Sequence, residues 1–342
     1  MSKKHKSTRV KLIANPGAGK ATETAKNLKL VLGYLEKMGV KADVALAKPK
    51  EKATPIARRA IKAGYKTVVA MGGDGTLEAV MRGMVGSKVH LGIIAAGTEN
   101  NIARSLGIPE DLEAACALIA ADSTRKLDVG QVKTGKGRKF SFFELATVGL
   151  SAALYPDATK AEGGKLSGVK DAVMTLVHQD PSPHVFLTLD DESKIESETM
   201  LVMVSNTPAF GKKFLVAPNA SLQDGLLDIS VYQGFSKAEL LGYYAKVMDG
   251  GYSGNGKVQR YQARKLQVKS SPRLKVMADG VELGKGSVTI KMRPGALRVI
   301  TPEKSPRVAK SPKDAAAMAA VPVPVVPDNN HHEKAKTVLK GG

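Results

Sequence analysis

Tryptophan is absent from this 342-residue chain, and only seven Phe and eight Tyr accompany it. So few aromatic rings argue against a surface that stacks nucleic-acid bases, and no finger or RNP-like motif is present. The cores must be built from Ala, Val, Leu and Ile. Cysteine is limited to Cys116, which excludes a disulfide framework and suits a reducing cytoplasm. Its place in the helical-period run 112–119 reads as a small buried hydrophobe rather than a reactive thiol. No apolar run is long enough to span a bilayer, and the N-terminus lacks the apolar core of a signal peptide. Any membrane contact is therefore expected to be peripheral, at the inner face. Acid is the minority charge: 32 Asp and Glu stand against 52 Lys and Arg, a formal net charge of +20.

What is present describes a globular protein with room for two domains, at 43% hydrophobic and 25% charged residues. The excess base is concentrated in residues 1–8 and in a Pro-, Ala- and Lys-rich tail over 302–342. Neither composition supports a packed core, and both are read as disordered arms attracted to an anionic membrane surface. His331-His332 in that tail is read as a polar pair rather than a metal site. Between the arms, apolar runs at 10–14, 40–46, 67–71 and 90–94 alternate with helical periodicity. That alternation predicts a parallel sheet covered on both faces over residues 9–128. Beyond it, short alternating segments at 185–189, 201–204, 227–231, 266–269, 287–291 and 296–300 predict an antiparallel β-rich domain over 129–301. One helix interrupts it at 237–248.

Three polar corners follow the parallel strands: Asn15-Pro16-Gly17-Ala18-Gly19-Lys20, Gly72-Gly73-Asp74-Gly75-Thr76 and Gly97-Thr98-Glu99-Asn100-Asn101. The carboxyl edge of an open α/β sheet is where ligands bind, and helix N-termini with glycine-exposed backbone suit phosphate. Asp74 could meet a nucleotide's metal, and Thr76 and Thr98 could donate to phosphate oxygens. A single such corner is commonly only a tight turn, and the first lacks the spacing of a P-loop. Three on one edge, with an acid and two threonines, point to a nucleotide site.

These motifs, taken with Ile102-Ala103-Arg104, resemble in order those of the diacylglycerol kinase catalytic-domain family, which includes bacterial lipid kinases and sphingosine kinases. Leu127-Asp128-Val129-Gly130, Asn206 with Ala217-Pro218, and Ser221-Leu222-Gln223-Asp224-Gly225-Leu226-Leu227-Asp228 extend the resemblance over roughly residues 9–301. It implies a Rossmann-like α/β nucleotide-binding domain followed by a β-sandwich, with phosphoryl transfer from ATP to a hydroxylated lipid and Mg²⁺ required. Asn15, Pro16, Gly17, Ala18, Gly19, Gly72, Gly73, Asp74, Gly75, Thr76 and Thr98 would then contact ATP. Asp74 and Asp128 would serve a first metal, and Ser221, Asp224 and Leu226 a second. Without the resemblance, Gln223-Asp224-Gly225 reads nearly as well as a plain turn. The sequence is compatible with a homodimer.

The departures concern charge. Asn101 stands where the family has Asp, and Glu78-Ala79 where it has Asn-Glu. The family's Asp-Gly-Glu, which supplies the catalytic base, is here Asp279-Gly280-Val281 with Glu282 one residue late. On a strand that shift sends Glu282 to the opposite face, whereas a bulge or turn would let it reach the site. The base is therefore Asp279 or Glu282, or it is missing, in which case the chain binds nucleotide or lipid without turnover. Gly-Gly-Asp-Gly also occurs in NAD kinases and related phosphofructokinases, so a soluble substrate ranks behind a lipid. Lys212-Lys213 could meet an anionic headgroup.

Overall fold

The computed structural model describes residues 8–16, 21–47, 52–150, 183–210, 214–248 and 256–303. Gly17, Ala18, Gly19, the Lys212-Lys213 pair and both basic arms up to residue 7 and from 304 lie outside them. The chain first builds β1 (Thr8–Ala14), α1 (Ala21–Lys37), β2 (Val40–Leu46), α2 (Ala53–Lys62), β3 (Thr67–Gly72), α3 (Asp74–Met84), β4 (His90–Ala95), α4 (Asn101–Ser105) and α5 (Leu112–Ala121). The strands pair in parallel in the order β2-β1-β3-β4. β3 is buried over five consecutive residues, as expected of a parallel strand with both faces covered. Val31, Leu35, Cys116 and Ile119 of α1 and α5 cover one face. Ile56, Ala57, Leu77 and Val80 of α2 and α3 cover the other. Cys116 is fully buried, and burial pushes its thiol up to about 11.

The second half contains β5 (Thr124–Thr134), β6 (Lys139–Phe142), β7 (Leu145–Gly149), β8 (His184–Leu189), β9 (Ser193–Ser205), β10 (Ala209–Phe210), β11 (Phe214–Leu215), β12 (Leu227–Gln233), α6 (Lys237–Met248), β13 (Val258–Ala263), β14 (Lys265–Ser271), β15 (Lys275–Ala278), β16 (Val281–Lys285) and β17 (Val288–Ile300). Two antiparallel layers face each other across an aliphatic core that includes Val132, Val148, Leu187, Val204, Ile229 and Ile290. β9 serves both layers. Its residues 193–198 pair with β8, and 199–205 pair with β12 and in part with β7. The outer face of the second layer carries α6, where Tyr243 packs edge-on to Tyr232 and Phe235.

The segments 287–291 and 296–300, expected as two strands, form the single strand β17. Its register slips between Arg293 and Leu297, around Pro294 and Gly295. Proline lacks the ladder donor and Gly295 takes a positive φ of 57°, so the strand bends there without ending. Past the bend β17 runs parallel to β4 through Arg298 and Val299. All along, it is antiparallel to β5, from Thr124 opposite Ile300 to Thr134 opposite Val288. Two long paired strands thus run from the α/β sheet into the sandwich and fix their relative position.

The glycine of Leu127-Asp128-Val129-Gly130 has a packing cause. Gly130 faces Phe142 across β5 and β6, and a Cβ there would lie 2.1 Å from the ring's Cζ. Gly33 in α1 has nothing within 4 Å of such an atom. Gly130→Ala is expected to lose about 1–3 kcal/mol by overpacking, and Gly33→Ala to gain about 0.5–1 kcal/mol. Urea unfolding measures both, and equal effects would contradict the packing reading.

Candidate active site

The glycine corners after β3 and β4 touch through their backbones. A Cβ on Gly97 would fall 2.4 Å from the Cα of Gly73, so Gly97 has no space for a side chain, and one on Gly73 would be crowded at 3.2 Å from the Cα of Gly97. Asn100, at a left-handed φ of 51°, clamps the second corner: its Oδ1 accepts from Gly97 N at 3.0 Å and its Nδ2 donates to Gly97 O at 3.0 Å. Asn15 reaches over from the first corner, its Nδ2 donating to Thr76 Oγ1 at 3.2 Å. Gly72 also lies against Thr76. α3 begins at Asp74, with Gly73 as its N-cap. The structure therefore brings Asn15, Gly72, Gly73, Asp74, Gly75 and Thr76 together. Thr98 is exposed on the neighbouring corner.

Below these corners lies a cluster of acids. Burial pushes the Asp74 carboxyl up, while the amides of Ile102, Asn101 and Asn100 at the start of α4 pull it back. Four residues on, and so on the same side of α3, Glu78 binds Arg82 through Oε2 at 2.8 Å. Its pKa is pushed up to about 8 by burial and then by Asp279, against the pull of Arg82. Glu144, between β6 and β7, is only 3% exposed. Its pKa is held well above the usual range by burial and by Asp279, Glu78 and Asp74, and a hydrogen bond from Asn101 opposes this. Asp74 Oδ1, Asn101 Oδ1 and Glu144 Oε1 are all buried without a hydrogen-bond partner.

Arg82 joins this cluster to the sandwich. Its Nη2 lies 3.2 Å from Asp279 Oδ2, its Nε donates to Ser141 O at 3.1 Å, and its guanidinium covers the Phe140 ring at 4.5 Å. Asp279 and Gly280 form the two-residue turn between β15 and β16, both at positive φ, where Asp-Gly is a preferred pair. The Asp279 carboxylate folds back to accept from the amides of Phe143 at 2.9 Å, Glu144 at 3.1 Å and Leu145 at 3.2 Å. Burial raises its pKa, while Arg82 and those amides hold it down. Both oxygens are occupied. Glu282 lies on β16, where the register with β15 slips between Glu282 and Gly284, with Val281 and Leu283 packed on the core side. Its exposed side chain pairs with Lys275 at 3.1 Å. The structure brings Asp279 into the cluster as an acceptor with no free oxygen and leaves Glu282 at the surface.

The second group of expected ligands assembles elsewhere. Asp128 Oδ2 accepts from Gly225 N and its Oδ1 from Gly295 N, both at 2.7 Å. It thereby holds the 221–226 turn against the bend of β17. Asp224 Oδ1 accepts from Leu226 N at 2.9 Å and Ser221 Oγ from Gln223 N at 3.2 Å. Asp224 is raised by burial, opposed by Leu226 N, with Asp128 adding to the rise. A shallow recess of about 430 Å³ opens here, lined by Lys126, Asp128, Gln223, Pro294 and Gly295. Asp128 therefore belongs with the 221–226 turn, and its acidic neighbour is Asp224.

Oxygen-only donors with unpartnered buried lone pairs suit a hard cation. Among the described residues, no three His, Cys, Asp or Glu side chains converge closely enough to enclose one. A cation beside Asp74 would therefore complete its shell from water and from a ligand's own oxygens, as Mg²⁺ commonly does. Glu144 and Arg82 were not singled out from sequence. Glu78 was noted only as a departure, although its spacing of four from Arg82 is a readable signal. Nothing local marks Glu144, whose neighbours come from three distant segments.

The family described as "Diacylglycerol kinase catalytic domain" matches residues 9–132, and that described as "YegS C-terminal NAD kinase beta sandwich-like domain" matches 147–301. The chain is 28% identical over 305 residues to a protein named "Diacylglycerol kinase" of Mycobacterium tuberculosis, covering 88% of this chain and 97% of that one. It is 32% identical over 268 residues to the "Probable lipid kinase YegS-like" of Pseudomonas aeruginosa, covering 76% and 84%. A solved structure of a diacylglycerol kinase from Bacillus anthracis superimposes with a TM-score of 0.66 at 21% identity, covering 88% of this chain and 99% of that one.

The cluster has a thermodynamic signature. The Glu78 pKa of about 8 lies above its ordinary 4.5, so between those values the native state keeps a proton that the unfolded chain has lost. Stability from this group is complete below pH 4.5 and is lost as pH rises through 8. Glu78→Gln, always neutral, should gain in Tm over wild type as pH rises from 5 to 8.5, by roughly 2–4 °C. Thermal unfolding across that range checks this, and a constant difference contradicts it.

Proposed function

Because the chain belongs to the diacylglycerol kinase catalytic-domain family and is a lipid-kinase-like enzyme, we propose that it transfers the γ-phosphate of ATP to a hydroxyl of diacylglycerol or a related lipid, with Mg²⁺. The observation that carries this reading is the set of unpartnered buried oxygens on Asp74, Asn101 and Glu144, the first two on residues that follow the glycine corners in contact at Gly73 and Gly97. Phosphoryl transfer asks a protein for little covalent work. It needs a positioned phosphate chain, neutralised charge and a proton acceptor.

In this reading Asn15, Pro16, Gly72, Gly73, Gly75, Thr76 and Thr98 line the nucleotide. Asp74, Asn101 and Glu144 hold Mg²⁺, which when bound offsets the charge of the β- and γ-phosphates. Asp128, Ser221, Asp224 and Leu226 form a second cation position, whose role is to brace the turn against β17. No helix among the described residues is long and apolar enough to cross a membrane. The lipid would be met from the cytoplasmic face, with the basic arms contributing about 1 kcal/mol per Lys or Arg near an anionic surface. One observation favours a second reading, a member that binds without turnover: Asp279 has both oxygens engaged and Glu282 faces away.

Purified protein should transfer label from γ-labelled ATP to diacylglycerol or a sphingoid base, with chelation of Mg²⁺ abolishing transfer. Asp74→Asn should lower the rate about 10²–10³-fold, the loss expected when charge stabilisation is removed from a phosphoryl-transfer site, with an unchanged circular dichroism spectrum. ATP binding without transfer to any lipid in the panel would establish the second reading. An undiminished rate in Asp74→Asn would refute the metal assignment.

A further inference from the structure

Transfer to an alcohol requires an acceptor for the hydroxyl proton, and the structure narrows the choice by which carboxylate oxygens are free. Asp279 is 0% exposed in its side chain and its oxygens receive three amides and Arg82. Glu282 is held at the surface by Lys275. Glu144 has a free oxygen, but the kinase reading commits that oxygen to Mg²⁺. Glu78 differs from all three. Arg82 holds only its Oε2, its side chain is 13% exposed, and its Oε1 has no hydrogen-bond partner yet is not among the sealed atoms. It stands one helical turn beyond Asp74, on the same side of α3.

We propose that Glu78 Oε1 accepts the proton of the substrate hydroxyl, with Arg82 fixing the carboxylate through Oε2. This deepens the proposed kinase reading and rests on it. As the hydroxyl proton passes to Oε1, the substrate oxygen forms a bond to the γ-phosphorus. The bond from that phosphorus to the β–γ bridging oxygen breaks, and its electron pair leaves with the nucleoside diphosphate. Glu78 then returns the proton to water through its exposed edge. The charged groups around Glu78 are Asp74 and Arg82 on its own helix, Asp279 from the β15–β16 turn and Glu144 from the β6–β7 connection. Burial, Asp279 and Asp74 raise its affinity for a proton against the pull of Arg82, which suits a proton acceptor.

The test compares wild type, Glu78→Gln, Glu78→Asp and Glu282→Gln in label transfer from ATP to the lipid the wild type uses, across pH 5.5–9, with ATP binding measured in parallel. Glu78→Gln should lower kcat about 10²–10⁴-fold, lose the acid limb of the pH profile and bind ATP as wild type does. Glu78→Asp, which keeps the acid and serves if the amide variant fails to fold, should lower kcat but retain the acid limb. A Glu78→Gln kcat within tenfold of wild type with its acid limb intact overturns the proposal, as does an equal loss in Glu282→Gln. Wild type that binds ATP and transfers to no lipid overturns the kinase reading and this proposal together, whereas active wild type with active Glu78→Gln overturns this proposal alone.

Discussion

The contact between Arg82 and Asp279 holds the functional region together. Arg82 belongs to α3 of the parallel-sheet half and Asp279 to the β15–β16 turn of the sandwich. The carboxylate simultaneously collects the amides of Phe143, Glu144 and Leu145. A buried carboxylate is tolerable only when its oxygens are saturated in this way, and removing one partner typically costs about 3–5 kcal/mol. The pairing of β5 with β17 aligns the two halves. The Arg82–Asp279 contact then fixes where the β6–β7 connection runs and so carries Glu144 beneath the glycine corners.

Seen from that contact, the substitutions that set this chain apart form one rearrangement of charge. Asn101 lacks the acid of its family counterpart, and its side chain instead pulls the Glu144 pKa back toward the usual range. An Asp at 101 would set two carboxylates against each other. On α3 the acid has moved one residue earlier, from the position of Ala79 to Glu78. A step of one residue turns a side chain about 100° around a helix, here to the line of Arg82. Val281 has no carboxylate, and Asp279 is committed to the turn. The carboxyl groups of the site not committed to a turn or to the surface are therefore those of Asp74, Glu78 and Glu144.

Much of the architecture was legible in the sequence because it depends on local pattern. The apolar runs at 40–46 and 67–71 and the helix at 237–248 coincide closely with β2, β3 and α6. The α/β-then-β order followed from the change in periodicity. β17 was read as two strands because Pro294-Gly295 resembles a stop, and only the uninterrupted partner strand β5 shows it to be a bend. The glycine corners were legible as a group, and they do meet. The acid cluster was not. Glu144 has no motif around it, and its meaning comes from Asn101, Asp279 and Asp74, which lie 43, 135 and 70 residues away along the chain. The sequence left strand and bulge open at Glu282, and β16 does slip register beside it, between Glu282 opposite Met277 and Gly284 opposite Val276. The slip still leaves Glu282 at the surface with Lys275.

In the proposed kinase reading, nucleotide phosphates and a cation meet at the unpartnered oxygens of Asp74, Asn101 and Glu144. A crystal structure of the chain with Mn²⁺ and a non-hydrolysable ATP analogue tests it most directly, since the anomalous signal locates the ion independently of the nucleotide. An anomalous peak is expected in contact with Asp74 Oδ1 and with phosphate oxygens, and Glu78 facing the terminal phosphate. Phosphates seated away from the Gly73–Gly97 contact, or a cation bound with Asp74 outside its coordination shell, would contradict it.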